Sequence, residues 1–315
     1  MTLAVSACLL GEKVRFDGGH KHYRFLTEEL AKYADFVPFC PEHLAFGTPR
    51  PSIRIVRDGE RESITSNKTG ADLTAPLAAA SQTELNHLSL TPLCGIIFKA
   101  KSPSCGMGSA KVHLPNGHSE GKGDGLFVQM CKAAFPLLPM EEEARLQDAW
   151  LRENFIMQVF AYDAVERLKN GLKSMNDLVR FHTVNKFLIQ AKDEQRYRQM
   201  GRVIANPDKK PLQEVMNEYE LLFKTAIAKK SSIKRTRNVL EHMAGFFKRE
   251  LTPGEKAMLH EQIDDYAARL LTLMTPITTI RFLAAKYGIT YLLDQTFLEP
   301  YPKSMALRSR IESGR

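Results

Sequence analysis

Leu3-Ala4-Val5-Ser6-Ala7-Cys8-Leu9-Leu10-Gly11 opens the chain with an apolar run that ends on a cysteine and a glycine. The run Leu3–Ala7 is too short for a helix and is bounded by a turn signal, so it reads as a buried strand. The same pattern recurs twice. Phe36-Val37-Pro38-Phe39 runs into Cys40-Pro41, and Leu93–Phe98 runs into the loop Ala100-Lys101-Ser102-Pro103-Ser104-Cys105-Gly106. Between and after these runs, Tyr23–Tyr33, Ala71–Leu88 and Leu126–Ala134 read as helices, and Ile53–Val56 with Asp58-Gly59 as a small hairpin. Strands alternating with helices imply an α/β domain built on an open, mostly parallel sheet. The Gly-rich segment Gly117–Gly125 lacks the GxxxxGK[ST] and GxGxxG patterns of phosphate cradles and reads as a flexible loop near the site.

The pattern changes near Pro136–Asp148, where two prolines precede the acidic run Glu141-Glu142-Glu143. From Trp150 onward apolar residues keep a helical period, as in Phe155, Val159, Tyr162 and Leu168, then Leu178, Phe181 and Phe187. Leu221–Ile227, Val239–Phe247 and Ala257–Leu271 continue it, with breaks at Asn206-Pro207, Pro211, Thr252-Pro253-Gly254 and Pro276. The expected organisation is an α/β domain over 1–145 followed by an all-α domain over 146–315.

A chain of 315 residues with 43% hydrophobic and 25% charged side chains is long enough for two globular domains. It has no stretch of about 18 consecutive apolar residues, so no membrane partner is expected. The start lacks a basic segment and its apolar run merges into a turn, which fits a first strand better than a signal peptide. A cytoplasmic location is expected, and five cysteines in such a chain argue against a disulfide framework. Nothing in the sequence sets an oligomeric state.

Charge and cysteine are unevenly placed. Residues 1–150 carry a net charge of −1 and all five cysteines, whereas residues 151–315 carry +9 and none. A basic half of this kind suggests a polyanion partner, nucleic acid first and an acidic membrane surface second, against the plainer reading of a solubilising surface.

Cys8, Cys40 and Cys105 share one setting, at or near the carboxyl end of an expected strand, where open α/β sheets form their ligand crevice. Cys94, inside a strand, and Cys131, on a helix, read as buried small hydrophobes. Three dispersed thiols suit an iron–sulfur cluster, whose core can be gripped from several loops. Structural zinc usually takes close Cys pairs, which are absent here. Spacing alone leaves a cluster, zinc, a catalytic thiol and no metal all open.

Several further blocks stand in order: Ser6-Ala7-Cys8-Leu9-Leu10-Gly11, Val14-Arg15-Phe16-Asp17-Gly18, Cys40-Pro41-Glu42 and Thr48-Pro49-Arg50. They are followed by Gly70-Ala71-Asp72-Leu73-Thr74 and Lys101-Ser102-Pro103-Ser104-Cys105-Gly106. Together, over about residues 1–145, they resemble the TudS family of thiouracil desulfidases. The resemblance implies a [4Fe–4S] cluster held by three cysteines, which fall on Cys8, Cys40 and Cys105, with one open iron that binds the substrate's sulfur. The second half resembles a helical domain of unknown original function often fused to TudS. The stretches that carry this are Val179-Arg180-Phe181-His182-Thr183, Asn185-Lys186-Phe187 and Asn238-Val239-Leu240-Glu241-His242-Met243. Fusions of the two parts resemble the RudS-type desulfidases of bacteria, which act on 4-thiouridine in tRNA.

The activity so implied is hydrolytic and non-redox: thiouracil and water give uracil and hydrogen sulfide. A thiocarbonyl sulfur is soft and suits an open iron as Lewis acid. Glu42, two residues from Cys40, is then the candidate base for water, against the plain reading of a solvated turn carboxylate. The resemblance places a functional serine in the loop before Cys105, and Ser102 is preferred over Ser104 for it. Ser104, Arg50 and Lys101 remain candidate catalytic or substrate-contacting residues.

Lys229, Lys230, Lys234, Arg235 and Arg237 form the most basic run, ahead of an expected helix Asn238–Lys248, and are candidate phosphate contacts for thiolated tRNA. Arg180, His182, Lys186, Arg196, Arg198 and Arg202 form a second basic area, in which Phe181 and Phe187 read as core and His182 and His242 as hydrogen-bonded helix residues. Two other readings stand beside the tRNA desulfidase. One is an enzyme of free 4-thiouracil or thionucleosides, and the other a non-catalytic nucleic-acid-binding stress protein with a sensing cluster.

Overall fold

Strand β1 (Thr2–Ser6) is the hub of the first sheet, with Leu3, Ala4 and Val5 wholly buried. It pairs in parallel with β2 (Asp35–Phe39) on one side and with β5 (Leu93–Phe98) on the other. Beyond β5 lies β8 (Met140–Glu142), also parallel, giving the order β2-β1-β5-β8. Every residue of β5 is buried, as expected of a central strand covered on both faces. In this computed structural model residues 1–308 are described. They fall into two compact units, Met1–Asp148 and the residues from Ala149 onward.

The second sheet has the order β4-β3-β6-β7. Strands β3 (Ile53–Asp58) and β4 (Arg61–Ser66) form the hairpin read from Asp58-Gly59. Strand β6 (Ala110–His113) runs parallel to β3, and β7 (Ser119–Gly123) antiparallel to β6. This corrects the reading of Gly117–Gly125 as a loop. Exposed polar and glycine residues hide the strand, and its turn is made at Asn116-Gly117, with Gly117 at φ 85°. One face of the sheet is apolar: Ile53, Ile55, Ile64, Ala110 and Val112 pack with Leu77 of helix α2.

Helix α1 (Pro41–Phe46) starts with a proline in its first turn, where the missing N–H costs nothing. Helix α2 (Thr74–Ser89) begins three residues later than the periodicity implied, because Asp72 Oδ1 accepts from the Thr74 amide and hydroxyl at 2.9 and 2.6 Å. Helix α3 (Leu126–Ala134) lies where it was expected. The stretch Tyr23–Tyr33 is a π-helical turn, Phe25–Glu29, running into a 3-10 turn, Leu30–Lys32, rather than one regular helix. Phe39, Phe98 and Phe127 pack with ring centroids 5.1–6.4 Å apart and are at most 2% exposed. Burying each stabilises the fold by about 1.5–3 kcal/mol, and the cluster stands at the strand ends that carry the site.

The second unit is helical: α4 (Ala149–Gly171), α5 (Met175–Lys192), α6 (Glu194–Ala205), α7 (Leu212–Ala228), α8 (Ile233–Ala244), α9 (Pro253–Ala267), α10 (Met274–Lys286) and α11 (Thr290–Leu293). Capping boxes Ser174/Asp177 and Thr252/Glu255 start α5 and α9. Pro253 and Pro276, read as breaks, sit in the first turns of α9 and α10. Ser232 caps α8, so the expected helix start at Asn238 moves back to Ile233 and takes in Lys234, Arg235 and Arg237. Phe181 packs on Tyr219 and Phe223, and Phe187 is fully buried, so both are core. Among the described residues no helix is long and apolar enough to cross a membrane.

Candidate active site

The strand order β2-β1-β5 makes neighbours of the three strands that precede the cysteines. Cys8 follows β1 in the 3-10 turn Ala7–Leu10, Cys40 follows β2, and Cys105 stands in the loop after β5. All three line one cavity of about 930 Å³ at the carboxyl ends of the parallel strands, together with Glu42, Arg50, Lys101, Ser102 and Ser104. The five cysteines are free, and Cys94 and Cys131 are buried away from this lining.

The turns that carry the cysteines are fixed by partners distant in sequence. The Cys40 amide donates to Glu84 Oε1 at 2.9 Å. The Ser102–Cys105 loop hangs on the start of α3: the amides of Leu126 and Phe127 donate to the carbonyls of Pro103 and Ser104, each at 3.0 Å. Only glycine permits this approach at position 125, where a Cβ would meet the Ser104 carbonyl carbon at 2.4 Å. Lys101, at φ 63°, holds the strained entry to the loop and donates its amide to Ser109 Oγ at 2.8 Å.

Glu42 is gripped on both oxygens. Its Oε1 accepts from the Ser102 and Ser104 hydroxyls at 2.7 and 2.6 Å, and its Oε2 from Arg50 Nη2 at 3.0 Å. Arg50 is 9% exposed and also donates to the carbonyls of Val14 and Gly47 at 2.9 Å. Ser102 Oγ accepts weakly from the amides of Ser104 and Cys105, both at 3.2 Å, and the Ser104 hydroxyl lies 3.4 Å from Cys105 Sγ. The carboxylate is thus an oriented group, not a solvated turn residue.

Burial dominates the thiols. It pushes Cys8 up to about 12, with the nearby Cys40 adding to it. Burial likewise takes Cys40 up to about 11, against the His43 amide and Arg50, which pull down. Cys105 is held well above the ordinary thiol value by burial and then by Cys40. Three thiols that disfavour one another's ionisation become thiolates together only around a cationic core. Among the described residues no three His, Cys, Asp or Glu side chains converge tightly enough for a single metal ion. Three soft sulfurs spread around one cavity fit a larger core better than one ion.

Residues 3–143 match the family model for 2-thiouracil desulfurase. The uncharacterized protein YbbK of Bacillus subtilis (strain 168) is 30% identical over 146 residues, 42% of this chain and 90% of that protein. The chain belongs to the 2-thiouracil desulfurase family. Residues 186–302 match a second model, a protein family of unknown function (DUF1722). The uncharacterized protein YbgA of Escherichia coli (strain K12) is 24% identical over 157 residues, 50% of this chain and 93% of that protein. A solved [4Fe-4S]-dependent thiouracil desulfidase, TudS, is 30% identical, with 46% of this chain and 93% of that one covered and a TM-score of 0.38.

The 2-thiouracil desulfurase unit also uses residues that the sequence did not single out. Glu143, just past β8, pairs with Lys99 and accepts the Ala100 amide at 2.6 Å. Glu142 accepts from Ser109 Oγ at 2.6 Å and from the Met107 amide at 3.2 Å. The acidic run taken as a domain boundary is therefore a strand end that clamps the catalytic loop. A short apolar lead-in, Leu137-Leu138-Pro139-Met140, was its only local signal.

The basic run of the helical unit is partly engaged. Lys229 pairs with Asp193 at 2.7 Å, and Arg237 with Asp264 at 2.6 Å. Arg235 donates to the Lys230 carbonyl at 2.6 Å and to that of Ala191 at 3.2 Å. Lys230 lies 5.7 Å from the Trp150 ring centre, and Lys234 is exposed. His182 stacks on Tyr197 with centroids 5.2 Å apart and lies 3.3 Å from the Tyr219 hydroxyl; burial lowers its pKa to about 4.

Proposed function

We propose that this member of the family is a hydrolytic desulfidase that converts 4-thiouridine in tRNA to uridine and releases hydrogen sulfide. Cys8, Cys40 and Cys105 would hold a [4Fe–4S] cluster. The observation that carries the reading is the convergence of those cysteines on one cavity with a carboxylate fixed between two hydroxyls and a guanidinium. When bound, the cluster supplies a soft Lewis acid for a thiocarbonyl sulfur.

Glu42 Oε1 is the base that takes a proton from water as oxygen bonds to C4 of the base. Arg50 fixes the plane of that carboxylate, so the proton goes to a defined atom. The Ser102 hydroxyl, on the more accessible side of the loop, steadies the charge that develops at the reacting carbon's substituents. The same proton then leaves with the sulfur as the C–S bond breaks, and oxygen replaces sulfur with no net electron transfer. The helical unit is assigned to tRNA binding on its share of the +9 net charge over residues 151–315, and the target base must be exposed from its stack to reach the cavity.

The test is anaerobic incubation of cluster-reconstituted protein with tRNA containing 4-thiouridine and, separately, with free 4-thiouracil, following the near-ultraviolet thiocarbonyl absorbance. Loss from thiolated tRNA is expected. Loss from neither substrate defeats desulfidation, and loss from the free base alone defeats the tRNA assignment. Cys8→Ala, Cys40→Ala and Cys105→Ala should each remove cluster and turnover together, whereas Cys94→Ala should keep both.

A further inference from the structure

The cavity that holds the three cysteines is lined by eight lysine and arginine side chains and one carboxylate, Glu42. Yet residues 1–150 as a whole carry a net charge of −1. Inside the cavity Arg50 answers Glu42, and Lys99 answers Glu143. The charge that is left over gathers on the second sheet.

Lys111 of β6 and Lys122 of β7 are direct cross-strand partners, and both are exposed. Arg54 of β3 and Lys111 each stand one residue before the paired Ile55 and Val112, so three cations form a row across three adjacent strands. Strand alternation sets that row on the face opposite Ile53, Ile55, Ala110 and Val112, which fill the core. Like charges directly opposite one another repel. Elsewhere on the same sheet the repulsion is answered: Arg57 pairs with Glu62 and Glu120. Among the described residues no carboxylate lies within 4.0 Å of Arg54, Lys111 or Lys122. Arg54 Nε is moreover buried with no hydrogen-bond partner among them. An unanswered guanidinium N–H and an uncompensated row of cations mark a place whose counter-charge arrives with a ligand.

Cavity size points the same way. About 930 Å³ is near the upper end of the roughly 300–1,000 Å³ typical of small-molecule sites, and it exceeds what a bare pyrimidine and a water need. We propose that Arg54, Lys111 and Lys122 form a phosphate seat beside the cysteines. The catalytic unit itself then selects a thiopyrimidine that carries a nucleotide phosphate. The identity of the base rests on the desulfidase reading; the seat is tested apart from it. The phosphate comes from an RNA phosphodiester or from a free nucleoside monophosphate.

The test titrates the full chain with uridine monophosphate and with uridine, neither of which contains sulfur. Each charge-assisted contact adds about tenfold in affinity, so the monophosphate should bind at least about tenfold more tightly than the nucleoside. In Lys111→Gln/Lys122→Gln that advantage should vanish. Lys122→Glu should lose it too while melting at a higher temperature, because it places opposite charges across the strand pair. In turnover, the double variant should lose about tenfold in kcat/KM on 4-thiouridine monophosphate and on thiolated tRNA, with free 4-thiouracil unchanged. The larger loss of the two identifies the source of the phosphate. Equal binding of monophosphate and nucleoside, or an unchanged advantage in the double variant, overturns the seat. A wild type that prefers the monophosphate yet desulfurises no thiopyrimidine keeps the seat and overturns the desulfidase reading instead.

Discussion

Arg50 Nη2 meets Glu42 Oε2 at 3.0 Å, with 3% of the arginine side chain and 13% of the glutamate side chain exposed. The same guanidinium donates to two backbone carbonyls, those of Val14 and Gly47, which lie in the segments flanking Cys8 and Cys40. Arg50 therefore acts through Glu42 and the turns around it, as a positioning residue. Removing one partner of a buried pair leaves the other uncompensated and costs about 3–5 kcal/mol. Arg50→Ala should lose stability on that scale in denaturant melts of the first unit. Arg50→Lys should retain part of it but lose kcat, since an ammonium cannot span the carboxylate and both carbonyls. Wild-type melting of Arg50→Ala would remove the anchor.

Ser102 and Ser104 donate to the same Glu42 oxygen, but their surroundings differ. Ser104 is 1% exposed and stands against Cys105 Sγ, whereas Ser102 is half-buried at the loop surface. Ser102→Ala should therefore cost about 10²–10³ in kcat, the range for a lost donor at developing charge. Ser104→Ala should chiefly cost stability, about 1 kcal/mol for a hydrogen bond. Steady-state kinetics beside thermal melts separate the two; equal kcat losses would show that both hydroxyls serve one structural role.

The cysteines and their strands were legible because burial and chain direction write themselves locally. An apolar run that stops at Cys8, Cys40 or the loop before Cys105 states both a buried strand and its carboxyl end. The order β2-β1-β5, which makes three separate ends into one rim, is topological and has no local period to betray it. Glu84, Glu142 and Glu143 were missed for the same reason, since each acts on a backbone amide or side chain more than thirty residues away. Strand β7 was missed because its exposed polar and glycine residues leave no apolar alternation to read.

Gly125 offers a sharp test of how rigid the catalytic loop must be. A Cβ there would lie 2.4 and 2.5 Å from the Ser104 carbonyl carbon and oxygen, both backbone atoms that cannot swing away. Gly125→Ala should force the loop from α3, at a cost of about 1–3 kcal/mol for overpacking, and reduce turnover through displaced Ser102 and Cys105. Gly123→Ala is the control, because its Cβ would meet only Val112 Cγ2 at 3.4 Å. If both variants melt and turn over alike, the close approach at Gly125 is not what holds the loop.

In the helical unit, Lys192 is 1% exposed and donates to Asn154 Oδ1 at 2.8 Å, the oxygen that also accepts the Ser231 amide at 2.9 Å. Burial lowers its pKa from the ordinary 10.5 to about 7, with Glu153 opposing and Arg308, Arg235 and Lys230 reinforcing the shift. The folded value lies below the unfolded one, so the unfolded chain binds more protons between them. This contribution to stability is present above pH 10.5 and is lost as the pH falls to about 7. Lys192→Met should therefore gain on the wild type as the pH falls through that window, read as a growing difference in melting temperature. Parallel curves would mean that Lys192 stays charged in the fold. Because Asn154 joins this ammonium to Ser231, at the start of the basic run, the loop that leads into α8 should exchange its amide protons faster in Asn154→Ala than in Lys192→Met.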